Sequence, residues 1–250
     1  MPAHLEFLDL TVRYGKKKAL DEITMSAARN TVLAIVGPAN SGKSTLLKTI
    51  NRTIDFITIA KVEGEVRISG EEVRSMPNVY ALRRRIGMVF PLPVGLPLSV
   101  YDNVAYAPRR QGIHDKAQLD EIVERCLRDS VLWDEVKDRL DLLGTRLSGG
   151  QQQRLTLARA LSLDPEILCL DEFSIAIDPV TTMKIEEVLT RLKEKMTIVL
   201  VTNLTQQARR MGDKVAFIND SQLVEWGDTN QMFNAPVKEI TGRYLNGEFG

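Results

Sequence analysis

The chain is 250 residues long, with 44% hydrophobic and 26% charged residues, and its 33 basic residues balance 33 acidic ones. That composition excludes collagen-like, disordered and low-complexity architectures and suits a globular chain able to bury a sizeable core. The charge balance argues against a nucleic-acid binder, whose footprint is a basic excess, and two cysteines, Cys126 and Cys169, exclude a disulfide framework and fit a reducing compartment.

The N-terminus carries Glu6 and Asp9 and has no basic segment followed by an apolar run, so no signal peptide is expected. The apolar runs fall far below the roughly 18 residues of a spanning helix. The chain is expected in the cytoplasm, with membrane contact only through a partner. Short β-branched runs alternate with helical patterns, the mark of an α/β fold with a mostly parallel sheet and helical crossovers. The first strand is expected over 5–8. Lys16, Lys17 and Lys18, just after Gly15, suit a solvated turn better than a phosphate contact.

A strand over 31–36 leads into Gly37-Pro38-Ala39-Asn40-Ser41-Gly42-Lys43-Ser44-Thr45, and a helix can continue through 46–52. This is Gly, four residues, then Gly-Lys-Ser/Thr in a strand–loop–helix context, a phosphate loop. Glycine lets the backbone wrap the phosphates while consecutive amides point inward at a helix N-terminus. Lys43 is expected on the terminal phosphates and the Ser44 hydroxyl on magnesium, so the chain is expected to bind a nucleoside triphosphate. Strands over 65–68 and 87–90 follow. Between them Arg83, Arg84 and Arg85 are expected on a solvated helix face, not as a nucleic-acid patch.

The interval 91–146 is poor in strands, and Leu119, Ile122, Val123, Cys126 and Leu127 recur there at helical spacing. It is expected as a helical subdomain inserted into a nucleotide-binding core made of 1–90 and 147–250, the whole chain being one domain. Next comes Leu147-Ser148-Gly149-Gly150-Gln151-Gln152-Gln153-Arg154, where two glycines open a helical run and leave amides free as a second anion site. A strand over 167–170 delivers Asp171 and Glu172 to a sheet edge. Asp171 is expected to hold magnesium through water and Glu172 to polarise the attacking water. Cys169 within that strand reads as a small core hydrophobe. Strands over 197–201, 215–218 and 223–226 complete the pattern.

The Leu-Ser-Gly-Gly-Gln run, Ser148–Gly149–Gly150–Gln151 after Leu147, joined to the phosphate loop, resembles the ATP-binding cassette ATPases over nearly the whole chain. The resemblance implies a P-loop ATPase core with an N-terminal antiparallel β subdomain. It also implies ATP with magnesium as ligands and a two-fold dimer in which each protomer's signature run closes over ATP on its partner's phosphate loop. Tyr14 sits where that family stacks an aromatic residue on adenine, the alternative being a tyrosine packed at a strand end. Ala176 and Asp178 match parts of the loop that faces the opposite protomer. Within the family, Ala81 to Phe90, Ser99 to Tyr106, Leu132 to Leu140, the three glutamines from Gln151 and the tail from Glu225 to Thr229 are similar to the ATPase subunit of bacterial phosphate importers.

The chain departs from the family pattern in three places, at Pro91, at Asn203 and in the run Phe173-Ser174-Ile175-Ala176-Ile177-Asp178, where the family usually reads Pro-Thr-Ser-Ala-Leu-Asp. Pro91 stands where a glutamine touches magnesium, and it offers neither a side-chain amide nor a backbone N–H. Asn203 stands where a histidine bonds the γ-phosphate; the chain's two histidines, His4 and His114, lie outside every motif. Ile175 replaces a serine that helps position water across the dimer. Losing one positioned donor at a transition state costs about 100- to 1,000-fold in rate, and two losses in one coupled site need not multiply. ATP binding is therefore expected to survive and hydrolysis to be slow.

The resemblance thus implies an ATPase subunit that powers an importer of phosphate or a related oxyanion. It would be peripheral at the cytoplasmic face of the membrane, bound to membrane-spanning permease subunits, as a homodimer or a heterodimer with another cassette, and without nucleic acid. Two alternatives stay open: a catalytically weak nucleotide-binding regulatory or scaffold subunit, and a cassette ATPase acting on soluble machinery.

Overall fold

The computed structural model of the chain describes residues 3–248. They form two compact units, one running up to Ile86 and resuming at Lys193, the other spanning Gly87–Leu192.

The first unit opens on two long strands, β1 (Ala3–Tyr14) and β2 (Lys17–Ala28), paired antiparallel from Tyr14 opposite Lys17 to Ala3 opposite Ala28. Only part of β1 and none of β2 is expected from alternation, and the reason is bulging. In β1 the buried apolar set is Leu5 and Phe7, then Leu10 and Val12; in β2 it is Leu20, then Ile23, Met25 and Ala27. Asp9 and Glu22, with φ of 48° and 52°, supply the extra residue that switches each strand's inward face. Threonines close the gaps: the Asp9 amide donates to Thr24 Oγ1 at 2.9 Å and the Glu22 amide to Thr11 Oγ1 at 3.0 Å. Lys16, Lys17 and Lys18 are exposed as expected, with Lys18 Nζ 2.6 Å from Asp21.

Strand β3 (Val32–Val36) is buried at all five positions and leads into α1 (Lys43–Ile50). Strand β4 (Ala60–Ile68) lies antiparallel to β1, and the two-residue β5 (Glu71–Glu72) flanks it. Helix α2 (Val79–Arg84) is capped by Asn78, whose side chain accepts from the amides of Tyr80 and Ala81 at 3.0 Å each. Here the structure corrects the sequence expectation for the arginine run. Arg84 is exposed, but Arg83 turns inward: its Nε donates to Asn51 O and its Nη2 to Arg52 O, each at 3.0 Å, and its guanidinium lies 4.7 Å from the Phe56 ring centre. Carbonyls at a helix C-terminus lack intrahelical donors, and a planar guanidinium satisfies two at once. Arg83 thus fastens the far end of α1.

The strand β6 (Ile86–Val89) leads into the second unit, which contains α3 (Val100–Arg110), α4 (Lys116–Asp129), the short α5 (Trp133–Val136), α6 (Gly149–Leu161), β7 (Ile167–Asp171) and α7 (Pro179–Leu192). Strand β7 neighbours β6 in the sheet. Leu119, Val123, Cys126 and Leu127 of α4 are buried, as their spacing requires, and burial pushes the Cys126 thiol up to about 12. Cys169 is a fully buried part of β7, its thiol also pushed up by burial. Helices α3 and α4 both pack on α6, and the second unit holds all three.

The first unit resumes with β8 (Thr197–Val201), α8 (Thr205–Met211), β9 (Lys214–Asn219), β10 (Gln222–Asp228), α9 (Thr229–Asn234) and α10 (Glu239–Leu245). Its strands run in the order β5-β4-β1-β2-β10-β9-β3-β8. The sheet is mixed: β3 is parallel to both β8 and β9, while β1, β2, β4 and β5 form the antiparallel N-terminal part and β9–β10 a hairpin. Tyr244 of α10 stacks on Phe217 of β9 with ring centres 4.6 Å apart.

Candidate functional site

In the first unit, the turn between β3 and α1 is built around its glycines. A Cβ on Gly37 would lie 2.0 Å from the Ile218 carbonyl oxygen, so only glycine lets the loop leave β3 beside β9. Gly42 caps α1 in a left-handed conformation, φ 110°, with no side-chain hydrogen bond to the helix start, and Asn40 is left-handed too. The first amides of α1 are thus unspent by any cap side chain, and such amides at a helix start bind anions. Lys43 is only 5% exposed, and its ammonium donates to Gly37 O at 2.8 Å and Pro38 O at 2.7 Å. The positive charge therefore lies within the loop. Ser41 is buried and its hydroxyl has no hydrogen-bond partner among the described residues. A buried hydroxyl left without a partner is costly, and an anion seated on the loop relieves that cost. The donor set fits a polyphosphate.

Two further predicted residues gather at this loop. Tyr14, half-buried at the end of β1, has its phenol 3.2 Å from Thr45 Oγ1 on the first turn of α1. Asn203 follows β8, whose Val201 registers against Ile35 of β3, and the Thr202 amide donates to Ile35 O at 3.1 Å. Parallel strands bring both loops to one carboxyl edge, where open α/β sheets bind ligands. Asn203 is exposed there. Ser44 is half-buried on the first turn of α1, a hard oxygen donor of the kind magnesium takes. His4, by contrast, is buried with its Nδ1 2.7 Å from Thr197 Oγ1, and His114 is exposed between α3 and α4.

The second unit holds the other predicted residues. Ser148 caps α6 in a complete capping box: the Gln151 amide donates to Ser148 Oγ at 3.3 Å, and the Ser148 amide donates to Gln151 Oε1 at 3.1 Å. Ser148 and Gly149 are exposed. This start is stiffened by a residue that no spacing rule reveals. Glu135 of α5 accepts Gln151 Nε2 at 2.8 Å and a forked pair from Arg154, at 2.6 and 3.1 Å, while Arg154 also donates to Val131 O. The Arg154 guanidinium is the main reason the Glu135 carboxyl is held below its ordinary range.

Asp171 ends β7 with only 5% exposure, and Glu172, half-buried, follows with φ 46°. A non-glycine residue in that left-handed region is sparsely populated, and such strain gathers at working sites. The chain then turns through amide bonds from Ile175 to Glu172 O and from Ile177 to Ser174 O, leaving Ile175 exposed. Ala176 approaches the α6 start so closely that a Cβ on Gly150 would meet its carbonyl oxygen at 2.9 Å. Asp178 accepts the Thr181 amide at 2.9 Å, and that bond leads the causes that lower its carboxyl from the ordinary value. Pro91 is half-buried at a bend after β6. Glu172's loop and the 148–151 turn are thus neighbours within this unit.

A family model described as "ABC transporter" matches residues 20–174. The chain is 47% identical over 247 residues to the phosphate import ATP-binding protein PstB of Pseudoalteromonas translucida, covering 98% of this chain and 90% of that protein. It is 46% identical to the protein of the same name from Idiomarina loihiensis, over 98% and 91%. In fold it is similar to CbiO1 of Clostridium perfringens, part of the ABC transporter complex CbiONQ, with a TM-score of 0.79 at 24% identity over 92% of this chain and 90% of that one. A bacterial Atm1-family ABC exporter with ATP bound gives a TM-score of 0.77 at 23% identity, this chain spanning 39% of it.

Proposed function

This chain belongs to the ABC transporter family and is an ATP hydrolase of that type, and we propose that it is the subunit powering an importer of phosphate or a related oxyanion. The near-full-length likeness to two phosphate-import subunits carries this reading. No helix among the described residues is long and apolar enough to cross a membrane. Transport then requires membrane-spanning permease subunits, with this chain peripheral at the cytoplasmic face.

In this reading the 37–45 loop binds the triphosphate, with Lys43 on the β and γ phosphates and Tyr14 against adenine. The Ser44 hydroxyl would ligate magnesium and Asp171 would hold it through water, and the ion when bound would neutralise charge on the phosphates. Glu172 takes a proton from the attacking water. The Ser148–Gly149–Gly150–Gln151 turn serves the ATP of a second cassette, in a homodimer or a heterodimer. In cells whose chromosomal copy is deleted, uptake of labelled phosphate from dilute medium is expected to fall to the level of cells lacking the permease, and to return with the parent chain. Unchanged uptake on deletion would overturn the transport role and favour a soluble one.

A second proposal concerns rate, and Pro91 and Asn203 support it. Asn203 can donate an amide hydrogen bond but cannot carry the positive charge of a protonated histidine. Pro91 offers no donor at all. The homodimer is a slow ATPase in this view, tolerating slow turnover or borrowing a competent site from its partner. Pro91→Gln combined with Asn203→His is expected to raise steady-state phosphate release by tenfold or more, on the order of one recovered transition-state donor, with ATP affinity unchanged within a few-fold. Fast release from the parent, or no gain in the double variant, would refute it.

A further inference from the structure

We propose that Gln153 is a positioning residue for ATP hydrolysis, acting through the Phe90 carbonyl on the segment 90–95 that lies along α6. The inference rests on the ATPase reading of the 148–151 turn, and it concerns a residue outside that turn.

The segment Phe90-Pro91-Leu92-Pro93-Val94-Gly95 follows β6 with prolines at alternate positions. Proline has no N–H, so this stretch cannot extend a strand ladder, and its carbonyls need donors from elsewhere. They find them on one face of α6. Gln153 Nε2 donates to Phe90 O at 2.9 Å, and Thr156 Oγ1 and Arg159 Nη1 donate to Val94 O at 3.4 and 3.3 Å. Gln152 Oε1 accepts the Gly95 amide at 3.1 Å. The backbone is held inward while Phe90, Leu92 and Val94 keep their side chains exposed.

Gln153 stands out among these. It is 1% exposed, and its Oε1 has no hydrogen-bond partner among the described residues. Burying an amide with half its capacity unspent costs stability, and an apolar side chain of the same shape would pack there at less cost. Packing therefore does not explain a glutamine; the hydrogen bond its side chain donates to Phe90 O does. Its position explains why that contact bears on catalysis. Gln153 lies five residues after Ser148, about 7–8 Å along a stiff helix. The same helix is clamped at its start by the capping box and by Glu135. A shift of the 90–95 segment is thereby passed to the amides at 149–151, and releasing the Phe90 carbonyl lets the two move apart.

The test uses the intact chain with MgATP. Gln153→Leu keeps the volume and removes the donor; single-turnover phosphate release at saturating ATP is expected to fall about five- to tenfold, the factor one buried hydrogen bond carries. ATP affinity by calorimetry should stay within twofold. Gln153→Glu supplies the distinguishing readout. Its carboxylate cannot donate to Phe90 O, but the neutral acid can, and burial favours the neutral acid. Turnover of this variant relative to the parent should therefore recover as pH falls from about 8 to about 6 while circular dichroism shows the variant equally folded across that range, so that the recovery follows the donor and not the folded fraction. Turnover within twofold of the parent in both variants, or a glutamate-to-parent ratio independent of pH, would overturn the proposal. Should the leucine variant fail to fold, the pH dependence of the glutamate variant alone decides. A parent that never releases phosphate would defeat the ATPase reading itself, and this inference with it.

Discussion

Lys43→Ala is expected to abolish MgATP binding at any ordinary concentration. Lys43 is 5% exposed, and its ammonium lies within the 37–42 loop, donating to the carbonyls of Gly37 and Pro38. In the proposed reading it is the side-chain charge on the terminal phosphates. Two charge-assisted hydrogen bonds, each worth about 1.5–3 kcal/mol, correspond to a loss of at least about 100-fold in affinity. Isothermal calorimetry against the parent measures it directly. The variant also strips two loop carbonyls of their ammonium donor, so a melting curve without nucleotide is needed to show that the fold persists. Lys43→Arg, which keeps the charge but forks it, should recover only part of the affinity, because a planar guanidinium does not replace a compact ammonium in a tight loop. Full affinity in Lys43→Ala would remove the loop from the nucleotide site.

Glu172→Gln is expected to lower turnover by about 100- to 10,000-fold, the range for losing a positioned general base, while ATP affinity stays close to the parent's. The substitution is nearly isosteric and adds no Cβ to a backbone already at φ 46°, so any large loss is chemical and not a matter of folding. ATP that binds without being consumed should hold two chains together, and Glu172→Gln with ATP is expected to elute as a dimer in size-exclusion chromatography. Adding Ser148→Arg should dissolve that dimer. Ser148 is exposed at the mouth of α6, and an arginine there both breaks the capping box and crowds an incoming phosphate. A dimer that survives Ser148→Arg would show that the α6 start does not face a second chain's ATP. Parent-like turnover in Glu172→Gln would assign the base elsewhere.

What the amino-acid sequence determined alone is what contiguous residues can determine. The 37–45 loop and the 148–151 turn are legible because each is a run of local backbone chemistry: glycine where another backbone passes, an amide row at a helix start, serine and glutamine three apart forming a capping box. The buried runs of β3, β7 and β8 are legible for the same reason, since a strand covered on both faces reads as an unbroken apolar run. The family resemblance rests on those same motifs. The sequence did not reveal β2, nor the full length of β1, because bulges at Asp9 and Glu22 reverse the inward face in mid-strand and erase the period of two. Nor did it reveal the arginines. Arg83 reads as one charge in a run of three, and only the fold brings the end of α1 beneath it. Glu135 and Arg154 stand 19 residues apart, and Gln153 and Phe90 63 apart. Such pairs have no local signature, because their energy comes from burying a charge or an amide with its partner, and that partner exists only once the helices have packed. The tertiary structure alone therefore decided which polar side chains hold the site in place, while the groups proposed to meet nucleotide were already written in adjacent residues.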